Sequence, residues 1–97
     1  MTSPASRTSP SVGVGALIWL IAIVAAVVII LHIVLVLFEA NSANSFVDFI
    51  ADAAGTLAWF FKDLFNLDDA KLEVVVNYGL AAAVYIALGR ILARGLG

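Results

Sequence analysis

The sequence predicts an all-α membrane protein: a two-span transmembrane helical hairpin with an amphipathic interfacial helix between the spans. Three observations predict it. Residues 12–38 are an unbroken apolar stretch in which His32 is the one strongly polar side chain. As a helix this stretch reaches roughly 40 Å, more than the roughly 30 Å of bilayer hydrocarbon. A second apolar stretch, 72–94, closes the chain, and the segment between them places its polar residues at intervals of three and four. Finally, 64% of the 97 residues are hydrophobic, against roughly 45–50% in soluble domains. A chain this short has too little interior to hide that surface.

Residues 1–11 are rich in Ser, Thr and Pro, with Pro4, Pro10 and a single Arg7. They read as a disordered cytoplasmic tail, with a phosphorylation or docking role as the sharper alternative. In the first span (12–38), Gly13 and Gly15 weaken the opening turn, and Trp19 stands where an interfacial anchor belongs. The β-branched centre would be a poor helix in water. In lipid the helix satisfies its own backbone, so the membrane decides the conformation. The span is too long for the h-region of a cleaved signal peptide and no A-x-A site follows Phe38, so it reads as a retained anchor. Its excess length implies tilt, or a last turn that lifts Glu39 out of the acyl region.

Residues 39–45 form a turn, since Asn and Ser compete locally for backbone hydrogen bonds. Ser45 with Asp48 fits a capping box and starts a new helix at Phe46. Over 46–65, Phe46, Ile50, Ala53, Leu57, Phe60, Phe61 and Leu64 share one face; Asp48, Asp52, Gly55, Thr56, Lys62, Asp63 and Asn66 share the other. One helix is expected here, with a possible kink at Gly55. It should lie in the interface with its Phe-rich face toward lipid or packed on the hairpin. Residues 66–71 turn again, Asp68 or Asp69 capping the second span, with Glu73 complementing its dipole. The charge-free part of that span, 74–89, is near the lower limit for crossing. Arg90 and Arg94 extend it by snorkelling, and Gly95 and Gly97 fray residues 95–97.

All seven acids (Glu39, Asp48, Asp52, Asp63, Asp68, Asp69 and Glu73) lie between the spans, with Lys62 and Lys71. Arg7, Arg90 and Arg94 lie outside them. By the positive-inside rule both termini face the cytoplasm, as expected of a multi-pass protein of a plasma (inner) membrane. There is no basic cluster for nucleic acid. With no cysteine there is no thiol chemistry and no reading of the redox compartment.

The candidate intramembrane contact is His32 with Asn77 and Glu39. In an antiparallel hairpin His32 and Asn77 fall at similar depth, within hydrogen-bond reach or one water apart, where they would lock the two spans. A proton relay from His32 toward Glu39 is the sharper reading. A metal ligand is the weakest, since a lone His has no second ligand at metal-binding spacing. Asp48 and Asp52 share a helix face and read as a solvated stripe before a cation site. Trp59 falls within the polar stripe, either as a partner contact or as an interfacial indole with its N–H toward water. Small residues make two stripes on the second span: Tyr78, Ala81, Ala82, Tyr85 and Gly89, and Gly79, Ala83 and Ala87. One can serve the hairpin and the other a homo-oligomer or a larger membrane-protein partner. No catalytic or cofactor-binding motif stands out.

The run Phe38-Glu39-Ala40-Asn41-Ser42-Ala43-Asn44-Ser45-Phe46-Val47-Asp48-Phe49-Ile50 resembles the YggT family of small bacterial membrane proteins. In that family an Asn-containing turn and an interfacial helix follow a spanning helix. The family's Pro- and Arg-rich segment after the interfacial helix has no counterpart here. The resemblance implies a non-enzymatic role in envelope physiology or membrane-complex assembly. The expected function is therefore an accessory or assembly subunit acting through helix–helix contacts in the bilayer. An oligomeric pore, holin-like or ion-conducting, is the alternative.

Overall fold

The computed structural model describes residues 13–96. The tail read as disordered, Arg7 and Val12 within or beside it, and Gly97 lie outside the described residues. The described chain is helical, with no strand: α1 (Val14–Leu37), α2 (Ser45–Ala58), a 3-10 segment (Trp59–Asp63) and α3 (Ala70–Leu96). Two helices, Val14–Leu37 and Ala70–Gly95, are long and apolar enough to cross a membrane.

α1 and α3 form an antiparallel hairpin, as a series of cross-contacts shows. At one end Glu39 pairs with Lys71. His32 then lies on Tyr78, and Ala26 and Ile29 share a core with Ala81 and Ala82. At the other end Ala22 meets Gly89, where an added methyl would overlap the Ala22 Cβ. Small residues allow this approach of two backbones.

The structure packs α2 onto this hairpin. Ile50, Ala54 and Ala58, at i, i+4 and i+8, are its buried residues, and Ala54 and Ala58 sit in the core with Ala26, Ile29, Ala81 and Ala82. Leu57 lies beside Leu20, Ile21, Val24 and Ala25. α2 therefore starts at the Glu39 end and runs back down α1 for about 21 Å. The buried seam only partly coincides with the Phe-rich face expected from the wheel: Ile50 is buried and Leu57 and Phe61 pack on the core, but Ala54 and Ala58 come from beside that face. Phe46 and Phe60 from that face point outward, as do Phe49 and Phe65, because alanines and not phenylalanines let α2 approach two helices at once.

The expected single helix over 46–65 is broken, and not at Gly55. α2 ends at Ala58, and Trp59 takes φ 48°, ψ −123°, outside the regions favoured by a bulky residue. Continuing the helix would carry the chain away from the start of α3; the break lets it turn and climb back. The cap also differs from the expected Ser45 box. Asn44 Oδ1 accepts from Phe46 N at 2.9 Å and Val47 N at 3.3 Å, so Ser45 is already helical. Among the caps foreseen for α3, Asp69 serves, accepting from Lys71 N and Leu72 N at 2.9 and 3.2 Å. Glu73 reaches back to Leu67 N at 2.9 Å. α3 thus starts at Ala70 and not at 72. It also runs through Gly95 to Leu96, where fraying was expected, since no glycine among the described residues adopts positive φ to break the helix.

α1 ends in a Schellman turn. Ala40 N donates to Leu35 O and Glu39 N to Val36 O, at 2.9 and 3.0 Å. Glu39 holds the left-handed position, φ 55°, where glycine is usual.

Candidate functional site

The polar side chains embedded in the apolar hairpin converge on one feature, the elbow where α2 stops and the chain returns. An elbow leaves peptide groups without helical partners, and each must find another acceptor or donor if it is away from water. α3 supplies them. Asn77 is fully buried, and its Oδ1 accepts from Phe65 N at 3.0 Å. Its Nδ2 donates to Lys62 O and to Phe65 O, each at 2.9 Å. One carboxamide thereby engages three backbone groups of the returning strand, both its donors and its acceptor occupied. Two turns farther along α3, Tyr85 donates its hydroxyl to Leu57 O at 2.7 Å, an orphan carbonyl of the last turn of α2.

Asn77 is therefore not placed on His32. The imidazole instead lies against the Tyr78 ring, centroids 4.7 Å apart and planes tilted by 54°. The sequence reading paired the two polar residues because they share a depth; it had no third element to offer Asn77. Glu39 is likewise not joined to His32. Its carboxylate takes a hydrogen bond from Lys71 Nζ across the mouth of the hairpin. That bond, and then the ammonium charge, hold the Glu39 carboxyl below the usual carboxylate range. His32, Asn77 and Glu39 thus have three separate partners.

Trp59, expected at an interface, lies farther down. It shares a groove of about 260 Å³ with Thr56, Leu57, Val84, Tyr85 and Leu88, alongside the middle of α3. Its indole is 72% exposed and meets Phe60 edge-on, centroids 5.1 Å apart. Trp59 takes this place because α2 descends along the hairpin before the break. Of the two small-residue stripes, Tyr78, Ala81, Ala82, Tyr85 and Gly89 face inward; Ala81, Ala82 and Gly89 are buried. The other stripe faces out. Ala83 and Ala87 are exposed, and a Cβ on Gly79 would meet open space.

Asp48 and Asp52 are exposed on the outer side of α2, and no cluster of three or more His, Cys, Asp or Glu able to hold a metal occurs among the described residues. The sequence reading missed the roles of Tyr78 and Tyr85, which it placed in a packing stripe. A signal was present: Asn77, Tyr78 and Tyr85 are the polar side chains of the otherwise apolar 74–89, and polar groups at that depth call for partners. The chain matches no family model, no curated protein and no solved structure.

Proposed function

We propose that this is a small, non-enzymatic integral membrane protein, an accessory or assembly subunit of a bacterial plasma membrane that works through its outward helix faces. The observation that carries the reading is the outward face of α1. Leu17, Leu20, Ile21, Val24, Val27, Ile30 and Val34 are all exposed, an aliphatic surface that only lipid or another apolar protein can solvate. In that setting α2 and the 3-10 segment form a re-entrant element. Non-helical backbone at membrane depth must have its polar groups satisfied, and the Asn77 and Tyr85 hydrogen bonds satisfy several of them.

The polar groups within the spans are turned toward the chain's own backbone or one another. This supports a packing role over a relay or conduction role. Outward remain the Gly79, Ala83 and Ala87 stripe and the indole of Trp59, surfaces suited to a second helix. Such a role is similar to what the YggT-family resemblance implies. Glu39, Asp68, Asp69 and Glu73 gather at one end of the hairpin and Arg90 and Arg94 stand at the other, which supports cytoplasmic termini.

Photo-crosslinking from position 83 and from position 59 in native membranes, followed by mass spectrometry, tests the reading. The expected products join this chain to a larger membrane protein or to a second copy, and Gly79→Leu abolishes those formed at position 83. A monomer without crosslinks overturns the assembly role. Collapse of the membrane potential on controlled expression, altered by His32→Leu, would replace it with the pore.

A further inference from the structure

The geometry points to a binding cleft for an anionic phospholipid headgroup at the open end of the hairpin, between the start of α1 and the end of α3. This inference rests on the membrane reading above. A cleft of about 460 Å³ is lined there by Gly15, Ala16, Trp19, Arg90, Ala93 and Arg94. Gly15, Ala16 and Ala93 carry at most a methyl group and leave the floor open. Arg90 and Arg94, one helical turn apart, bring two guanidinium forks to one wall, a geometry matched to phosphate oxygens. The Trp19 ring lies across Gly89, 3.5 Å from where a Cβ would stand, and so occupies the level at which indoles anchor among headgroups.

Among the described residues neither arginine of this cleft pairs with an acidic side chain. Every Asp and Glu of the chain falls between Glu39 and Glu73, so no acidic side chain stands on α1 or on α3 beyond Glu73. Along α3, Glu73 is about 25 Å from Arg90. Among the described residues the one ion pair is Lys71 with Glu39, at the far end. The start of α1 adds to the demand for an anion. Its N-cap, Gly13, offers no side-chain hydrogen bond, so the first amides and the positive end of the helix dipole face the same region. Basic pockets between spanning helices on the cytoplasmic side take anionic lipid headgroups, and this one has an aromatic anchor and room for the phosphodiester.

Trp59→Phe leaves Trp19 as the sole tryptophan of the chain and makes it a reporter. The full chain carrying that change is reconstituted in phosphatidylcholine vesicles containing a minor fraction of phosphatidylglycerol. Acyl-brominated forms of either lipid serve as quenchers. Brominated phosphatidylglycerol is expected at Trp19 with about 30-fold enrichment over its bulk fraction, falling about 5-fold with Arg90→Gln or Arg94→Gln. Ala16→Leu fills the cleft but keeps both arginines, and with them the charge that sets topology; it too should lower the enrichment. Full enrichment in Ala16→Leu would mean that surface charge alone recruits the lipid, and overturns the cleft. Loss of enrichment on adding inorganic phosphate, but not chloride at equal ionic strength, overturns the lipid in favour of a free anion. Equal quenching by the two brominated lipids overturns the site and leaves the membrane reading standing. Absence of quenching by either overturns both.

Discussion

The two halves of the hairpin solve different problems with different residues. Toward the termini α1 and α3 meet directly, the peptide groups of both lie in helix, and Ala22 and Trp19 close on Gly89, with the tip of α2 reaching this level at Leu57. In the half nearer the Glu39 turn, a third element enters and then stops, leaving peptide groups that no helix satisfies. That is where Asn77, Tyr78, Tyr85 and His32 appear. The difference teaches what polar residues in an apolar helix are for in this chain. Asn77 and Tyr85 bond the interrupted backbone, and His32 and Tyr78 lie against each other beside it.

The comparison breaks most visibly at Asn77. Asn77→Leu strips partners from Phe65 N, Phe65 O and Lys62 O together. The three bonds are part-buried, and at about 0.5–1.5 kcal/mol for each hydrogen bond the expected loss is roughly 2–4 kcal/mol. SDS titration of the reconstituted protein, followed by circular dichroism, reads it. Asn77→Asp keeps the acceptor for Phe65 N and loses both donors, so it should not rescue. If Asn77→Leu is as stable as the native chain, the elbow is satisfied by water and the division between the halves disappears.

The other half is tested at Gly89. Gly89→Leu forces the added side chain against Ala22, and overpacking of this kind costs about 1–3 kcal/mol. Because Asn77 holds the far half independently, the two losses should add. A double variant whose loss departs from the sum by more than about 0.5 kcal/mol would show that the halves are one cooperative unit.

These halves were unequally legible in the sequence. The two long apolar helices, their antiparallel hairpin and the presence of small-residue stripes on α3 follow from apolar length and spacing, because a regular helix pair is fixed by local periodicity; which stripe turns inward did not. Where α2 goes does not follow from its own periodicity. The wheel reports which face is apolar, but a phenylalanine face and an alanine seam about 70° apart are distinguished by the shape of the neighbours. The break at Trp59 is likewise invisible, since no Gly or Pro marks it. Asn77 was singled out correctly as a polar residue needing a partner. Its partner was misassigned because the returning strand exists only once α2 is known to dip and stop.

Trp59 sharpens the comparison within the elbow. Its backbone is held in a region that costs a bulky residue about 1–3 kcal/mol, while its indole points outward. In an ordinary helix position alanine is favoured over glycine by about 1 kcal/mol. At position 59 the order should reverse, Trp59→Gly being more stable than Trp59→Ala by about 1 kcal/mol, because glycine alone takes positive φ freely. Alanine as the better substitute would mean that α2 continues past the break and that the elbow is not fixed there.

The smallest effect expected is electrostatic, at the mouth of the three-element half. The Lys71 hydrogen bond, and then its charge, depress the Glu39 carboxyl in the folded protein. A depressed carboxylate contributes stability that is present in full above its unfolded pKa and is lost as pH falls through the folded one. Stability should therefore decline on the acid side of the ordinary carboxylate range, and Lys71→Ala should flatten that part of the decline. Both side chains are exposed, so salt should weaken the effect in the same way. The same titration on Asn77→Leu carries the argument further. If the ion pair closes the mouth only when the elbow is packed, the acid slope should vanish in that variant too. An unchanged slope would place Glu39 and Lys71 outside the elbow's cooperative unit, as a clasp between the ends of α1 and α3 alone.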